Sequence, residues 1–458
     1  MITPVGLVLF VVMLLFLVFW RRHFVWFLAA MIPFPQTAMF VVAGQGVSPF
    51  YAAAIVATAL GLVSVVNRLV HERLEFVLFR SGETALLAAF AAYSTAVTLL
   101  GPLLFEGIGV FSPRLGIGSQ LASQTPLTFT VSNLAQLAYL LLGVGVVVYV
   151  LSIQHLDVRL VEAGIWVGLL FTLVNAVVLA AGLPFPRELF DTLPTIYYQG
   201  GSRLRGPFAE PSVLGAFLAA SLAYLVNRSL SVGGPARAVA CLGIVIAVYE
   251  FTASVSGTAL VALSVVAGVA LAAGLRKWAV TGLRRVDTAV QALLLVVLAI
   301  LLLPTQIEAV TSSLVADKVV SDSYADRTNA DGYAFTLLRD SWGLGVGLGS
   351  NRPSSFGAML LSCVGVVGTT LLVVLVVRSA FRTYRSKLEY RPTAWALMAV
   401  FVAMMVAKAD LATPMLWMAL AMCIRCCRQV AEERQKSCSG DSESESETTE
   451  VALVAPRV

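Results

Sequence analysis

Apolar residues in this chain fall in long unbroken blocks separated by short polar punctuation. The blocks lie near residues 5–20, 24–43, 50–66, 84–105, 131–151, 163–182, 211–227, 236–253, 255–273, 288–304, 356–377, 393–408 and 411–424. They do not alternate with the period of two that outer-membrane barrel strands require. A helix satisfies its own backbone polar groups segment by segment, which hydrocarbon demands. The expected fold is all-α, a polytopic transmembrane bundle of about 12–13 spans at roughly 20 residues each. The first and last pairs of blocks set the range in that count. Val5–Phe19 lacks the basic leader and small-residue cleavage pattern of a signal sequence, and "WRRHF" follows at once, so it reads as a helix.

Basic residues orient the blocks. "RSAFRTYRSKLEYR" (Arg378–Arg391), "RKWAVTGLRR" (Arg276–Arg285), Arg21–Arg22 and "NRLVHER" (Asn67–Arg73) are the basic turns, and the positive-inside rule assigns them to the cytoplasm. Residues 106–130, 183–210 and 305–355 then lie on the opposite face, with the N-terminus outside and the C-terminus inside. The division is a membrane domain over 1–428, with a large extracytoplasmic loop at 305–355 before the last helices. A tail over 429–458 follows. "CSGDSESESETTE" in that tail is acidic, polar and free of aromatics, which favours a disordered cytoplasmic segment.

Composition narrows the class further. Hydrophobic residues make up 59 % and charged residues 12 % of the 458, against about 25 % charged in soluble domains. Mean hydropathy is +0.87. The net charge of +5 sits mostly in short loops beside helices, where topology accounts for it, so no nucleic-acid partner is implied. "CIRCC" offers three thiols with neither a histidine nor a fourth close thiol and reads as a helix end. No metal and no cofactor is expected.

The candidate chemistry gathers in the outer loops. In "GSRLRGPFAEPSVLGAFL", Arg203, Arg205 and Glu210 stand directly before an apolar helix. Orphan N–H groups at a helix start favour an anion, and guanidinium forks suit phosphate oxygens. The competing reading is a pair of arginines snorkelling to lipid head groups. A second cluster, "SDSYADRTNADGYAFTLLRDSWGLGVGLGSNRPSS", carries Asp322, Asp326, Arg327, Asp331, Arg339, Asp340 and Arg352. Its "GYAFTLLRDSW" has the look of a short surface helix, on which Arg339 and Asp340 can simply pair with neighbours. Gly343, Gly345, Gly347 and Gly349 alternate with Leu and Val, which suggests a tight backbone path against a substrate or a neighbouring helix. "EFTASVSGTALVAL" reads as an outer turn whose Ser254 and Ser256 line a cavity or mediate helix packing. All three histidines fall on the cytoplasmic side, so a proton acceptor outside would be a carboxylate. Glu210 comes first, followed by Asp326 and Asp340.

These pieces resemble the O-antigen ligase and polymerase superfamily of bacterial membrane proteins. The likeness rests on "RLRGPFAEPSVLGAFL", "FTASVSGTALVAL" and "DRTNADGYAFTLLRDSWGLGVGLGS", and covers most of the chain after about residue 50. "SVSG" replaces the family's arginine-bearing turn. The histidine that ligases carry after the glycine run is missing from "SNRPSSF", which favours a polymerase over a ligase. The resemblance implies glycosyl transfer at the outer face of the cytoplasmic membrane. One undecaprenyl-diphosphate-linked glycan would serve as donor and another as acceptor. It implies catalytic roles for Arg205, Arg327 and Glu210, and substrate contacts from Arg203, Arg339, Arg352, Asp326, Asp340, Ser254 and Ser256. Membrane lipids, a chain-length regulator and a flippase are the implied partners. The rival class is a transporter or flippase, which typically has internal repeats and charges within its spans.

Overall fold

A computed structural model describes residues 1–42, 44–71, 81–111, 124–153, 156–194, 203–254, 260–269, 322–407 and 410–453. The described helices are α1 (Pro4–Phe19), α2 (Phe24–Ala30), α3 (Pro49–His71), α4 (Gly82–Leu104), α5 (Val131–Ser152), α6 (Leu160–Ala180), α7 (Pro211–Ser231), α8 (Gly234–Ser254), α9 (Leu260–Val269), α10 (Asp322–Asp340), α11 (Phe356–Arg385), α12 (Arg391–Ala407) and α13 (Pro414–Leu453). Two small antiparallel hairpins, β1–β2 (Phe40–Val42 with Gln45–Val47) and β3–β4 (Gly109–Val110 with Thr125–Pro126), are the only sheet among the described residues. The protein is an all-α polytopic membrane bundle. Seven described helices, α3 to α8 and α11, are long and apolar enough to cross a bilayer. At 1.5 Å per residue, helices of this length match a hydrocarbon core about 30 Å thick.

The block at 24–43 departs from the expected span. Helix α2 ends at Ala30, and Pro33 and Pro35 follow in a chain that turns into the β1–β2 hairpin. Proline removes a backbone donor and disfavours helix in the residue before it, so an apolar block is not continued as a helix here. At the other end, α13 runs on through the acidic stretch to Leu453, where composition favoured disorder. That stretch contains no proline to stop the helix before Leu453.

Helix α7 is the centre of the bundle, and most of its residues are buried. Its Ala-rich faces let α8 and α12 pack closely on either side. Two polar knots lock the end of the bundle that carries the basic turns. Glu83, fully buried at the start of α4, accepts from Arg378 Nε at 2.8 Å and from Arg382 Nη1 at 2.7 Å. Glu162 on α6 lies 3.2 Å from Arg228 on α7 and accepts from the Tyr224 hydroxyl at 3.4 Å.

At the opposite end, hereafter the loop end, the glycine run forms a strap. Helix α11 breaks at Gly365, which has φ 64° and ψ −170°. The break releases the carbonyls of Ser362 and Cys363, and these accept the N–H groups of Val346 and Gly347, both at 2.9 Å. Gly343, Gly345, Gly347 and Gly349 all have φ between 78° and 94°, which L-residues with a Cβ rarely adopt. A Cβ at Gly345 would lie 2.6 Å from the Cys363 carbonyl, and one at Gly349 2.5 Å from the Ser132 carbonyl. Asn133 on α5 clamps the strap, donating to Leu348 O and Ser350 Oγ at 2.8 Å each. The run lies close against the neighbouring helices, as one reading of its spacing expects.

Candidate functional site

Residues 203–210 cross the loop ends of α6, α7 and α8. Leu204 N–H donates to the Ala253 carbonyl at 3.2 Å, and Arg203 Nε donates to the Ser254 carbonyl at 3.0 Å. These two bonds use the carbonyls that the end of α8 leaves without helical partners. Gly206, at φ 54°, lets the chain turn directly against Thr172 of α6; a Cβ there would stand 2.4 Å from the threonine hydroxyl. Phe208 then packs on Phe217, with ring centroids 5.2 Å apart, and fixes the entry into α7.

Two arginines, Arg187 and Arg205, meet Asp191 at this crossing, and Arg203 stands two residues before Arg205 on it. Arg205 is buried and grips Asp191 with both terminal nitrogens. Nη1 reaches Oδ1 at 3.1 Å and also the Phe208 carbonyl at 2.8 Å, while Nη2 meets Oδ2. Arg187, four residues before Asp191, donates to Asn175 Oδ1 at 3.5 Å and lies over the Phe185 ring. Burial disfavours its charged form, and the nearby Arg205 guanidinium adds to the effect, while Asp191 opposes it. Arg203 is half-buried; desolvation lowers its pKa, and Glu210 partly offsets this. An aromatic floor of Phe171, Phe185 and Phe190 supports the Arg187 turn, with Phe171 and Phe190 centroids 4.7 Å apart.

Glu210 is the N-cap residue of α7 by backbone conformation, yet its carboxylate does not cap the helix. Instead it accepts from the Ser212 hydroxyl at 2.9 Å. Ser254 contributes its carbonyl to Arg203, and its own hydroxyl is turned back to the Phe251 carbonyl at 2.8 Å. The second cluster is placed elsewhere. Helix α10 packs on α11, and Asp331 ties the two together by accepting Ser354 and Ser355 N–H at 2.7 and 3.1 Å. Arg339 is 81 % exposed and pairs with the adjacent Asp340, and the Arg352 side chain points to the exterior. Ser256 and the side chains of Asp326 and Arg327 lie outside the described residues.

Sequence reasoning missed Asp191, Arg187 and Glu250. Asp191 and Arg187 sit in the Pro- and Phe-rich outer stretch "PFPRELFDTLP", where a count of charges per loop would have found them. Glu250, read as part of an outer turn, belongs to α8 and is fully buried, with neither carboxylate oxygen hydrogen-bonded. Asp410, by contrast, caps a turn by accepting Ala412 N–H at 2.7 Å. Among the described residues no three His, Cys, Asp or Glu side chains group as metal ligands.

Fold and site together define a multi-pass α-helical membrane protein with a desolvated arginine cluster at one end of its bundle. Comparison with protein-family models, with curated proteins and with solved structures found no match to this chain.

Proposed function

We propose that the protein is a membrane glycosyltransferase of the polymerase kind. It joins undecaprenyl-diphosphate-linked oligosaccharide repeats at the outer face of the cytoplasmic membrane. The observation that carries this reading is the meeting of Arg187 and Arg205 at Asp191, with half-buried Arg203 on the same crossing, at the loop end of the bundle. Two of these guanidiniums are held partly away from water, and Arg187 is further opposed by the like charge of Arg205. An arriving diphosphate offsets both penalties, since hydrogen bonds to ionised groups contribute about 1.5–3 kcal/mol each. The basic turns at the other end support a cytoplasmic assignment for that end and an outward one for the arginines.

In this scheme a hydroxyl of one lipid-linked repeat attacks the anomeric carbon of the other glycan. The bond from that carbon to the diphosphate oxygen breaks, and undecaprenyl diphosphate leaves. Negative charge develops on the leaving oxygens, where Arg203 and Arg187 stabilise the transition state more than the ground state. Arg205, engaged by Asp191, holds the loop that presents Arg203. Glu210, beside Arg203, orients the attacking hydroxyl. Arg327 keeps the role implied by resemblance.

The test is the glycan profile of cells carrying Arg203→Ala or Arg187→Ala. Both variants insert normally, long-chain polymer disappears, and lipid-linked single repeats accumulate. Unchanged chain-length distributions in both would remove the proposal.

A further inference from the structure

The outward side of α4 and α11 carries a shallow groove that ends in anchored arginines. The two helices run antiparallel. A Cβ at Gly82, the first residue of α4, would stand 2.9 Å from Arg378 Nη2, and one at Gly368 would stand 3.2 Å from the Tyr93 ring. Gly82, Ala85, Ala89 and Ala92 are exposed and share one face of α4 at 3.6 residues per turn. Val367, Thr370, Val374 and Arg378 are likewise exposed and share one face of α11. Gly82 and Arg378 touch at the surface, so the two stripes border the same groove. Small side chains line the α4 side and branched ones the α11 side.

The α11 stripe changes character along its length. Val367, Val374 and Val377 are apolar; Arg378, Arg382 and Arg385 follow at helical spacing, with exposed Phe381 at the junction. The eleven residues from Val367 to Arg378 rise about 17 Å at 1.5 Å each. That is close to one leaflet's half of a hydrocarbon core about 30 Å thick. The arginines therefore reach the level of the phosphates where the groove leaves the acyl layer.

These guanidiniums are held more firmly than snorkelling arginines, whose heads move freely in water. Glu83, with no exposed surface, accepts from Arg378 Nε at 2.8 Å and from Arg382 Nη1 at 2.7 and 2.9 Å. The two arginine side chains are nonetheless 48 % and 45 % exposed. One carboxylate holds two guanidiniums, so the trio keeps one positive charge. Each guanidinium has five N–H donors, which leaves others for a second partner. Arg385, one turn on, lies over the Phe381 ring at 4.1 Å and adds a third guanidinium. Lys387 pairs with Glu433 at 2.8 Å and takes no part.

We infer that this groove holds an anionic glycerophospholipid, with an acyl chain along Ala85, Ala89 and Ala92 and its phosphodiester on Arg378 and Arg382. A phosphodiester carries one negative charge, matching the charge that Glu83 leaves over, and its oxygens accept from guanidinium forks. Basic clusters between membrane helices select anionic head groups in this way. A zwitterionic head group brings an ammonium to a site already in positive excess. Because Glu83 orders both arginines beforehand, binding removes less side-chain freedom. The site lies at the end of the bundle away from the 203–210 crossing and is independent of the reaction proposed there.

The test uses native mass spectrometry to count lipids on the purified full-length protein in detergent, titrating phosphatidylglycerol and phosphatidylcholine of identical acyl chains. Wild type is expected to bind the first phosphatidylglycerol at least about fivefold more tightly, or about 1 kcal/mol. Arg378→Gln with Arg382→Gln should bring the ratio below about twofold, or about 0.4 kcal/mol. Ala89→Trp fills the groove without altering charge and should weaken phosphatidylglycerol at least about threefold, or about 0.7 kcal/mol. Arg21→Gln with Arg22→Gln, at another basic turn, should leave the ratio unchanged. Inorganic phosphate, compared with chloride at equal ionic strength, should not displace the lipid. Equal affinity of wild type for the two lipids, or a ratio that survives the Arg378 and Arg382 changes, overturns the site. An equal fall in the Arg21 and Arg22 variant overturns it too, by making the preference a property of the charged end as a whole. Displacement by phosphate assigns the fork to a free anion instead, and undiminished binding in Ala89→Trp removes the groove. Thermal unfolding confirms that each variant is folded. If the paired arginine variant unfolds by stranding Glu83, adding Glu83→Gln removes the stranded charge, and that triple variant decides the ratio.

Discussion

Replacing Asp191 by Asn isolates the contact that shapes the arginine crossing. In the wild type the Arg205 and Asp191 side chains are 7 % and 13 % exposed and joined through two nitrogens and two oxygens. Asparagine keeps the size but leaves a guanidinium buried without its counter-charge. Breaking a buried pair on one side costs about 3–5 kcal/mol, more than a hundredfold in the folded-to-unfolded ratio at 1.4 kcal/mol per tenfold. The Phe208 carbonyl, still bonded to Nη1 at 2.8 Å, places the loss near the lower figure. Arg205→Met should destabilise similarly, by stranding the carboxylate. The double variant Asp191→Leu with Arg205→Met removes both charges and should return to within about 1–2 kcal/mol of wild type, because apolar replacements of buried pairs are often near neutral. Denaturant unfolding in a mild detergent gives all four corners of the cycle. If either single variant lies within about 0.5 kcal/mol of wild type, the range of ordinary surface changes, the pair does not hold the loop. Glycan synthesis then separates the roles. The folded double variant should retain turnover within about tenfold, or about 1.4 kcal/mol of barrier, because Arg203 and Arg187 contact the diphosphate.

Three further outcomes follow from the packing. Gly345→Ala puts a Cβ at a φ of 92° and 2.6 Å from the Cys363 carbonyl, so unfolding measurements should show a loss of at least about 1–2 kcal/mol. Gly332→Ala on exposed α10, with nothing within 4 Å of the new Cβ, should instead stabilise by about 0.4–1 kcal/mol in the same measurement. Glu83→Gln should cost about 1.5–3 kcal/mol, below a fully buried pair because Arg378 and Arg382 are 48 % and 45 % exposed and can turn to water.

The helical class was legible because a span must be both long and continuously apolar, and blocks such as 131–151 and 163–182 satisfy both. The 24–43 block met the hydropathy criterion alone; Pro33 and Pro35 decided its backbone. Glu250 reads as part of a turn because the apolar block ends near residue 253, although helix α8 carries it one turn inside. The glycine run announced a close backbone approach, but which helices it met depends on the break at Gly365, and one glycine among 35 does not advertise itself. Arg205 stood out beside its apolar helix. Its partner Asp191, 14 residues earlier, was hidden because such pairs are set by how loops cross rather than by local spacing.

The account turns on whether these arginines serve the departure of a lipid diphosphate. The direct measurement incubates purified wild-type protein and Arg203→Ala with a lipid-diphosphate-linked oligosaccharide repeat and resolves product length on a gel. A ladder of lengthening glycans from the wild type, absent from the folded variant, is the result expected. An unextended repeat with wild type, or an equal ladder from Arg203→Ala, contradicts it.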